Sequence, residues 1–153
     1  GNPTTRGAAS GAVAGLVAIT PASGFVGPIS ALIIGALAGI ICYGGVLMKS
    51  KLGYDDSLDV VGIHGLGGTW GALATGLFAS TSINPDGANG LFFGNPGQLW
   101  TQFLSVIVTM IFAFSMTLII LKVIDLVIGL RITEEEEIRG LDISLHNESG
   151  YTF

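Results

Sequence analysis

Charge is scarce in this chain: of 153 residues only 11% are Asp, Glu, Lys or Arg, while half are hydrophobic. Residues 7–48 carry no charged side chain, and residues 60–121 carry only Asp86. A soluble domain has about 25% charged residues, so this pattern excludes an ordinary aqueous fold. With a mean hydropathy of +0.71, the bilayer is the natural solvent. Basic residues number six against eleven acidic ones, with no Lys/Arg stripe, and that excludes nucleic acid as a partner. The single cysteine, Cys42, excludes an internal disulfide and sits in an apolar run as a small buried hydrophobe. Only two histidines are present, and neither has a second ligand at metal-binding spacing, so no metal and no cofactor are expected. An initiator Met and a charged signal region are also missing, and the opening Gly1-Asn2-Pro3 reads as the start of a fragment.

What is present in quantity is apolar sequence in long runs. A helix needs about 20 apolar residues to cross the hydrocarbon core, and residues 7–25, 28–48, 58–79 and 98–128 qualify. The expected fold is therefore all-α, a polytopic transmembrane helix bundle over residues 1–130, followed by a polar tail at 131–153. The breaks carry turn chemistry, with Pro21, Gly27-Pro28, Asn84-Pro85-Asp86-Gly87 and Asn95-Pro96-Gly97. Arg6, Lys49, Lys51, Lys122, Arg131 and Arg139 all fall on one side of a four-span arrangement. Basic residues in short loops stay cytoplasmic, which puts both ends inside and the loops at 20–28 and 80–97 outside. Glycines at four-residue spacing, such as Gly7, Gly11 and Gly15, let membrane helices approach closely.

One residue stands out within these runs. His64 lies about 9 Å beyond the cytoplasmic start of the third span, and ionisable side chains inside a membrane usually face a pore or the bundle interior. Val60, Gly67, Gly68 and Gly71 fall at helical spacing from it and are expected on the same face. An apolar environment disfavours imidazolium, leaving a neutral ring with one N–H donor and one acceptor nitrogen. A structural histidine bridging two helices is the competing reading. Asp55, Asp56 and Asp59 begin the same span. Asp56 and Asp59 sit at capping-box spacing, so a helix cap is the first reading and a gate or tail contact the second. Thr20-Pro21 breaks the first span where carbonyls and a hydroxyl face outward, and Val13 lies two turns below on that face. Trp70 is read as a packing residue before a cation-stacking one.

Three motifs, in order, resemble the Amt/MEP/Rh ammonium transporter family. They are Gly15-Leu16-Val17-Ala18-Ile19-Thr20-Pro21-Ala22, the run Asp55-Asp56-Ser57-Leu58-Asp59-Val60-Val61-Gly62-Ile63-His64-Gly65-Leu66-Gly67-Gly68, and Gly129-Leu130-Arg131 with its four glutamates and Gly140-Leu141-Asp142. The His64-Gly65 context and acidic tail look most like the Amt/MEP branch. The resemblance implies an eleven-span inverted-repeat fold of which these are spans eight to eleven, in a homotrimer of the cell membrane with a narrow pore in each subunit and the C-terminus in the cytoplasm.

By the same resemblance, His64 matches the second of the twin pore histidines, and Val60, Val13 and Thr20 match pore-lining positions. Asp59 matches an acidic residue at the pore's cytoplasmic base, where Asp56 caps the helix. The expected activity is conduction of ammonia or ammonium after it sheds water. The alternative is an ammonium sensor that signals through the tail. An intramembrane enzyme lacks a nucleophile near His64. In the tail, Arg131, Arg139, Gly140 and Asp142 are the regulatory candidates. The family implies that this segment docks at the pore mouths and meets a PII-type signalling protein. Apolar Ile138, Leu141, Ile143 and Leu145 are too regular for a merely solvated acidic end. Asn147 stands where the family often has Gly.

Overall fold

The computed structural model describes residues 4–150, which are all-α apart from turns. Helix α1 spans Thr5–Ile19, and the hydroxyl oxygen of Thr4 caps it by accepting from the Gly7 amide at 3.0 Å. Pro21 has no N–H to continue the ladder. The chain accordingly tightens into a 3₁₀ turn at Thr20–Ala22. Helix α2, Pro28–Leu52, starts on a proline whose missing donor costs nothing there. It ends at Gly53, whose φ of 70° lets its N–H return to the Lys49 carbonyl. A π turn at Val61–Gly65 leads into α3, Leu66–Phe78. After a connecting stretch with a 3₁₀ turn at Leu91–Phe93, helix α4 runs over Pro96–Val127, followed by the short helices α5, Glu134–Arg139, and α6, Leu141–His146.

Two helices among the described residues, α2 and α4, are long and apolar enough to cross a bilayer by themselves. The stretches expected at 7–25 and 58–79 are helical but broken: the first by the Thr20-Pro21 turn, the second by a start at Val60 followed by the π turn. At 1.5 Å per residue α4 is about 48 Å long, more than the roughly 30 Å of a hydrocarbon core.

Packing is carried by small residues. Ala18, Ala22, Ile34, Ala38 and Ala74 form one buried cluster, and Ala14, Cys42 and Ile63 form a second. Gly71 lies under the carbonyl of Ala18, where a Cβ would be 2.9 Å from the Ala18 carbonyl carbon and 3.0 Å from Pro21 Cδ. Gly45 and Gly62 bring α2 and the π turn into backbone contact, a Cβ on Gly45 falling 3.0 Å from Gly62 Cα. Trp70 donates its indole N–H to the Ile34 carbonyl at 3.0 Å and packs against the first cluster, which makes it a packing residue. The stretch between α3 and α4 is tied down by the Ser80 amide on Phe25 O at 2.9 Å and the Gly90 amide on Ala79 O at 2.8 Å.

Large apolar side chains face outward along α2 and α4, Ile29, Leu32 and Phe114 being more than 70% exposed. Helix α4 has no buried residue at all. Exposed apolar surface of this extent marks contact with further protein or with a membrane. The chain divides into two compact units within α4, between Thr109 and Met110.

Candidate functional site

The stretch from Lys49 to His64 carries a connected set of side-chain hydrogen bonds and ion pairs. A turn at residues 56–59 closes with the Asp59 amide donating to Asp56 O at 3.1 Å. The Asp56 carboxylate then accepts from the amides of Val60 at 2.8 Å and Val61 at 2.9 Å, satisfying two free donors at the start of the helix. The capping box expected from the Asp56 and Asp59 spacing does not form. Asp56 takes both amides itself, while Asp59 adopts a left-handed φ of 57° and turns its carboxylate away from the helix. That carboxylate, on a residue only 8% exposed, accepts from Lys49 Nζ and lies 3.6 Å from the guanidinium of Arg6. Lys49 Nζ also donates to Asp56 O at 2.8 Å.

From Val61 the helix is wound as a π turn through Gly65, and His64 is part of it. Gly67 and Gly71 are buried in the interior, where a Cβ on Gly67 would meet Cys42 Sγ at 3.0 Å. His64 is exposed, as are its neighbour Gly65 and Val60, the last by 47%. Gly68 keeps open space where its side chain would be. The stripe expected to carry Val60, His64, Gly67, Gly68 and Gly71 together is thus split: Gly67 and Gly71 pack, and the others line an open face. The Cys42 thiol donates to the Ile63 carbonyl at 3.7 Å, a buried contact between α2 and this turn.

On α1, Val13 is 40% exposed while Ala14 and Ala18 are buried. Thr20 is exposed, and its hydroxyl donates back to Leu16 O at 2.7 Å, leaving its oxygen lone pairs to accept. A cavity of about 610 Å³ lies between α1 and α2, lined by Ser10, Gly11, Tyr43, Lys49 and Asp59. His64 is not among its walls. The imidazole is presented on a separate face.

The tail is folded as a unit. Thr133 and Glu136 make a reciprocal capping box, the carboxylate accepting from the Thr133 amide at 2.9 Å and its hydroxyl at 2.8 Å. The Thr133 amide first, and its hydroxyl second, hold the Glu136 carboxyl below its ordinary value. Gly140, at φ 98°, separates α5 from α6. The Asp142 carboxylate accepts from the Gly150 amide at 3.0 Å, and this bond, with a further one from the Ile143 amide, depresses its carboxyl as well. Asn147 ends α6 with a left-handed φ of 50°. After Gly, Asn is a residue that tolerates that conformation. Arg131 lies 3.8 Å from Glu137 in an exposed pair. Arg139 occupies the last turn of α5.

Comparison with known proteins now decides what this arrangement belongs to. The profile of the Ammonium Transporter Family matches residues 1–151. The chain belongs to the ammonium transporter family. Among its relatives, the ammonium transporter of Bacillus subtilis is 53% identical over 150 residues, covering 97% of this chain and 37% of that protein. Ammonium transporter Amt1 of Archaeoglobus fulgidus is 47% identical over 152 residues, covering 99% of this chain and 38% of its own length. The crystal structure of Saccharomyces cerevisiae Mep2 superposes with a TM-score of 0.82 at 35% identity, over 88% of this chain and 32% of that one. Candida albicans Mep2 gives 0.80 at 37% identity, over 89% of this chain and 31% of that one. The chain thus spans about a third of the length of the curated relatives it matches. It is part of a membrane protein of a transporter family, not of an enzyme family, and its all-helical fold is that of the Mep2 structures.

Proposed function

We propose that this chain is the C-terminal third of an ammonium transporter of the Amt branch, comprising spans eight to eleven and a cytoplasmic tail, and that it contributes one wall of a narrow pore. The observation that carries the reading is the split of the third-span surface. Gly67 and Gly71 pack inward, while His64 stands on an apolar open face beside Val60 and Gly68. A helix that turns an imidazole away from its packed core offers a small amine a hydrogen-bond partner along an otherwise apolar path. His64 would form a hydrogen bond with the passing molecule after water is shed. Val60, Val13 and Thr20 would line the way, with Asp56 and Asp59 at the cytoplasmic base.

The whole transporter is taken to be a homotrimer in the cell membrane with its C-terminus inside. The basic residues on one side support that orientation. The folded tail, with its capping box and the Asp142 to Gly150 closure, supports docking of residues 131–153 against a partner surface. That surface would be the pore mouths of the trimer, approached through Arg131 and Arg139, and a PII-type signalling protein would meet the same face. The same ordered tail is what an ammonium sensor would need, and it keeps that second reading in view.

The deciding experiment is His64→Ala in the complete transporter that carries this segment, read as methylammonium uptake and as selectivity for ammonium over potassium. Uptake or selectivity is expected to fall with insertion and assembly unchanged. Normal transport would reject the pore role, and loss of folding would favour the structural-histidine reading.

A further inference from the structure

The basic group nearest in the chain to the His64 turn that is also drawn into the protein is Lys49, and its placement exceeds what a topogenic charge requires. A lysine in the last turn of α2 has two bland duties, to complement the helix dipole and to mark the cytoplasmic side. Lys51, two residues on and exposed, serves both. Lys49 instead has a side chain only 24% exposed, and its ammonium group is bound at two points of one turn, the Asp56 carbonyl at 2.8 Å and the Asp59 carboxylate.

We propose that Lys49 is a positioning residue for His64: by clamping the 56–59 turn from α2 it fixes the left-handed backbone of Asp59, and so the direction and register of the π turn that presents the imidazole. This rests on the pore reading of His64. Asp59 is the last residue before the helix, and its carbonyl accepts the Ile63 amide at 2.9 Å, which is the first bond of the turn containing His64. A φ of 57° is uncommon for a residue with a Cβ. It persists where the surroundings over-determine it. Those surroundings are named: Lys49 on the carboxylate, Arg6 at 3.6 Å behind it, and the Asp56 carboxylate pinning the Val60 and Val61 amides ahead of it.

The face of α2 that carries Lys49 also meets the turn at two further points. Gly45, four residues earlier, touches the Gly62 backbone, and Cys42, one turn before that, donates to Ile63 O. One side of α2 therefore holds the His64 turn at its start, middle and interior edge. Lys49 is the only one of the three contacts with a charge to direct it. Without that charge the turn at Asp59 is free to relax to an ordinary right-handed or extended backbone, swinging His64 relative to the open face.

The test uses the complete transporter carrying this segment, with Lys49→Met, Lys49→Arg, Asp59→Asn, the Lys49→Met/Asp59→Asn double variant, and His64→Ala as the control. Methylammonium uptake is measured against concentration, with the amount of assembled protein in the membrane. Misplacement of a reacting group by about 1 Å costs up to about 10²-fold in catalysis. Conduction past one imidazole is less demanding, so K49M is expected to lower the maximal rate roughly tenfold with the half-saturation constant little changed. K49R should keep most of the rate, and the double variant should be no worse than either single one.

A parental maximal rate and selectivity in K49M, with H64A impaired, would overturn the positioning role while leaving the pore reading intact. A parental rate in H64A would remove the pore reading and this proposal with it. Should K49M fail to assemble, D59N, which keeps the shape and its tolerance of the left-handed backbone, decides the matter. A parental rate in D59N overturns the proposal, and the tenfold fall supports it.

Discussion

Adding one methyl group to Gly71 tests the packing on which the whole arrangement rests. A Cβ there would lie 2.9 Å from the Ala18 carbonyl carbon and 3.0 Å from Pro21 Cδ, with the Ala18 oxygen nearer still. Ordinary contact begins at 3.4 Å. The end of α1 must therefore retreat by at least about 0.5 Å, and the obstacle is backbone, which has no rotamer to change. Overpacking of this kind costs typically 1–3 kcal/mol, and an immovable neighbour puts Gly71→Ala at about 3 kcal/mol or more, against at most about 1 kcal/mol returned by the better helix propensity of Ala.

Gly68→Ala is the control, since nothing lies within 4 Å of its Cβ position. It should be neutral or slightly stabilising. Thermal unfolding of the full transporter in detergent, followed by loss of the assembled species, reads both. Gly71→Ala should melt well below the parent, while Gly68→Ala should melt with it and yet slow uptake by narrowing the open face. Equal melting of Gly71→Ala and the parent would refute the inward placement of that glycine, and with it the split surface assigned to the third span.

Three further outcomes are expected. In an otherwise cysteine-free transporter, a cysteine at Asn84 should react with an impermeant thiol reagent from outside, and one at Thr133 only after permeabilisation; the reverse labelling would invert the orientation. Deleting residues 134–153 should lower or deregulate transport without preventing trimer formation, and normal transport with a normal response to nitrogen status would make the tail a solubilising end only. The capping of α5 should depend on pH. The Glu136 carboxyl is held below its ordinary value of 4.5, so its contribution is complete above that value and is lost as pH falls through the depressed one. Protection of the α5 amides from hydrogen exchange, corrected for intrinsic rates, should weaken on acidification in the parent and lose that dependence in Glu136→Gln. Protection that instead weakened as pH rose from 5 to about 7 would contradict the assigned bond.

The chain's class was legible from composition, because a membrane solvent leaves its mark on every residue: uncharged runs, proline and glycine at the breaks, basic residues to one side. The same reasoning singles out His64, an ionisable group standing where none is expected, and its role in the pore is a proposal that the His64→Ala experiment tests. The three motifs identified the family, and the comparison with known transporters agrees.

What spacing could not supply was the winding of the helix at His64. Spacing alone gives a regular helix of 3.6 residues per turn through His64, whereas the chain winds as a five-residue π turn at Val61–Gly65. That turn is held by contacts from outside its own segment: the Cys42 thiol on Ile63 O, Gly45 against Gly62, and Lys49 on the 56–59 turn. The same holds for Asp59, read as half of a capping box from its distance to Asp56 and found instead paired with Lys49, ten residues back across a chain reversal. Sequence periodicity records which residues a helix can bury, whereas the choice among windings that differ by a single hydrogen bond falls to whatever packs against it, and here only the tertiary structure brought α2 to that place.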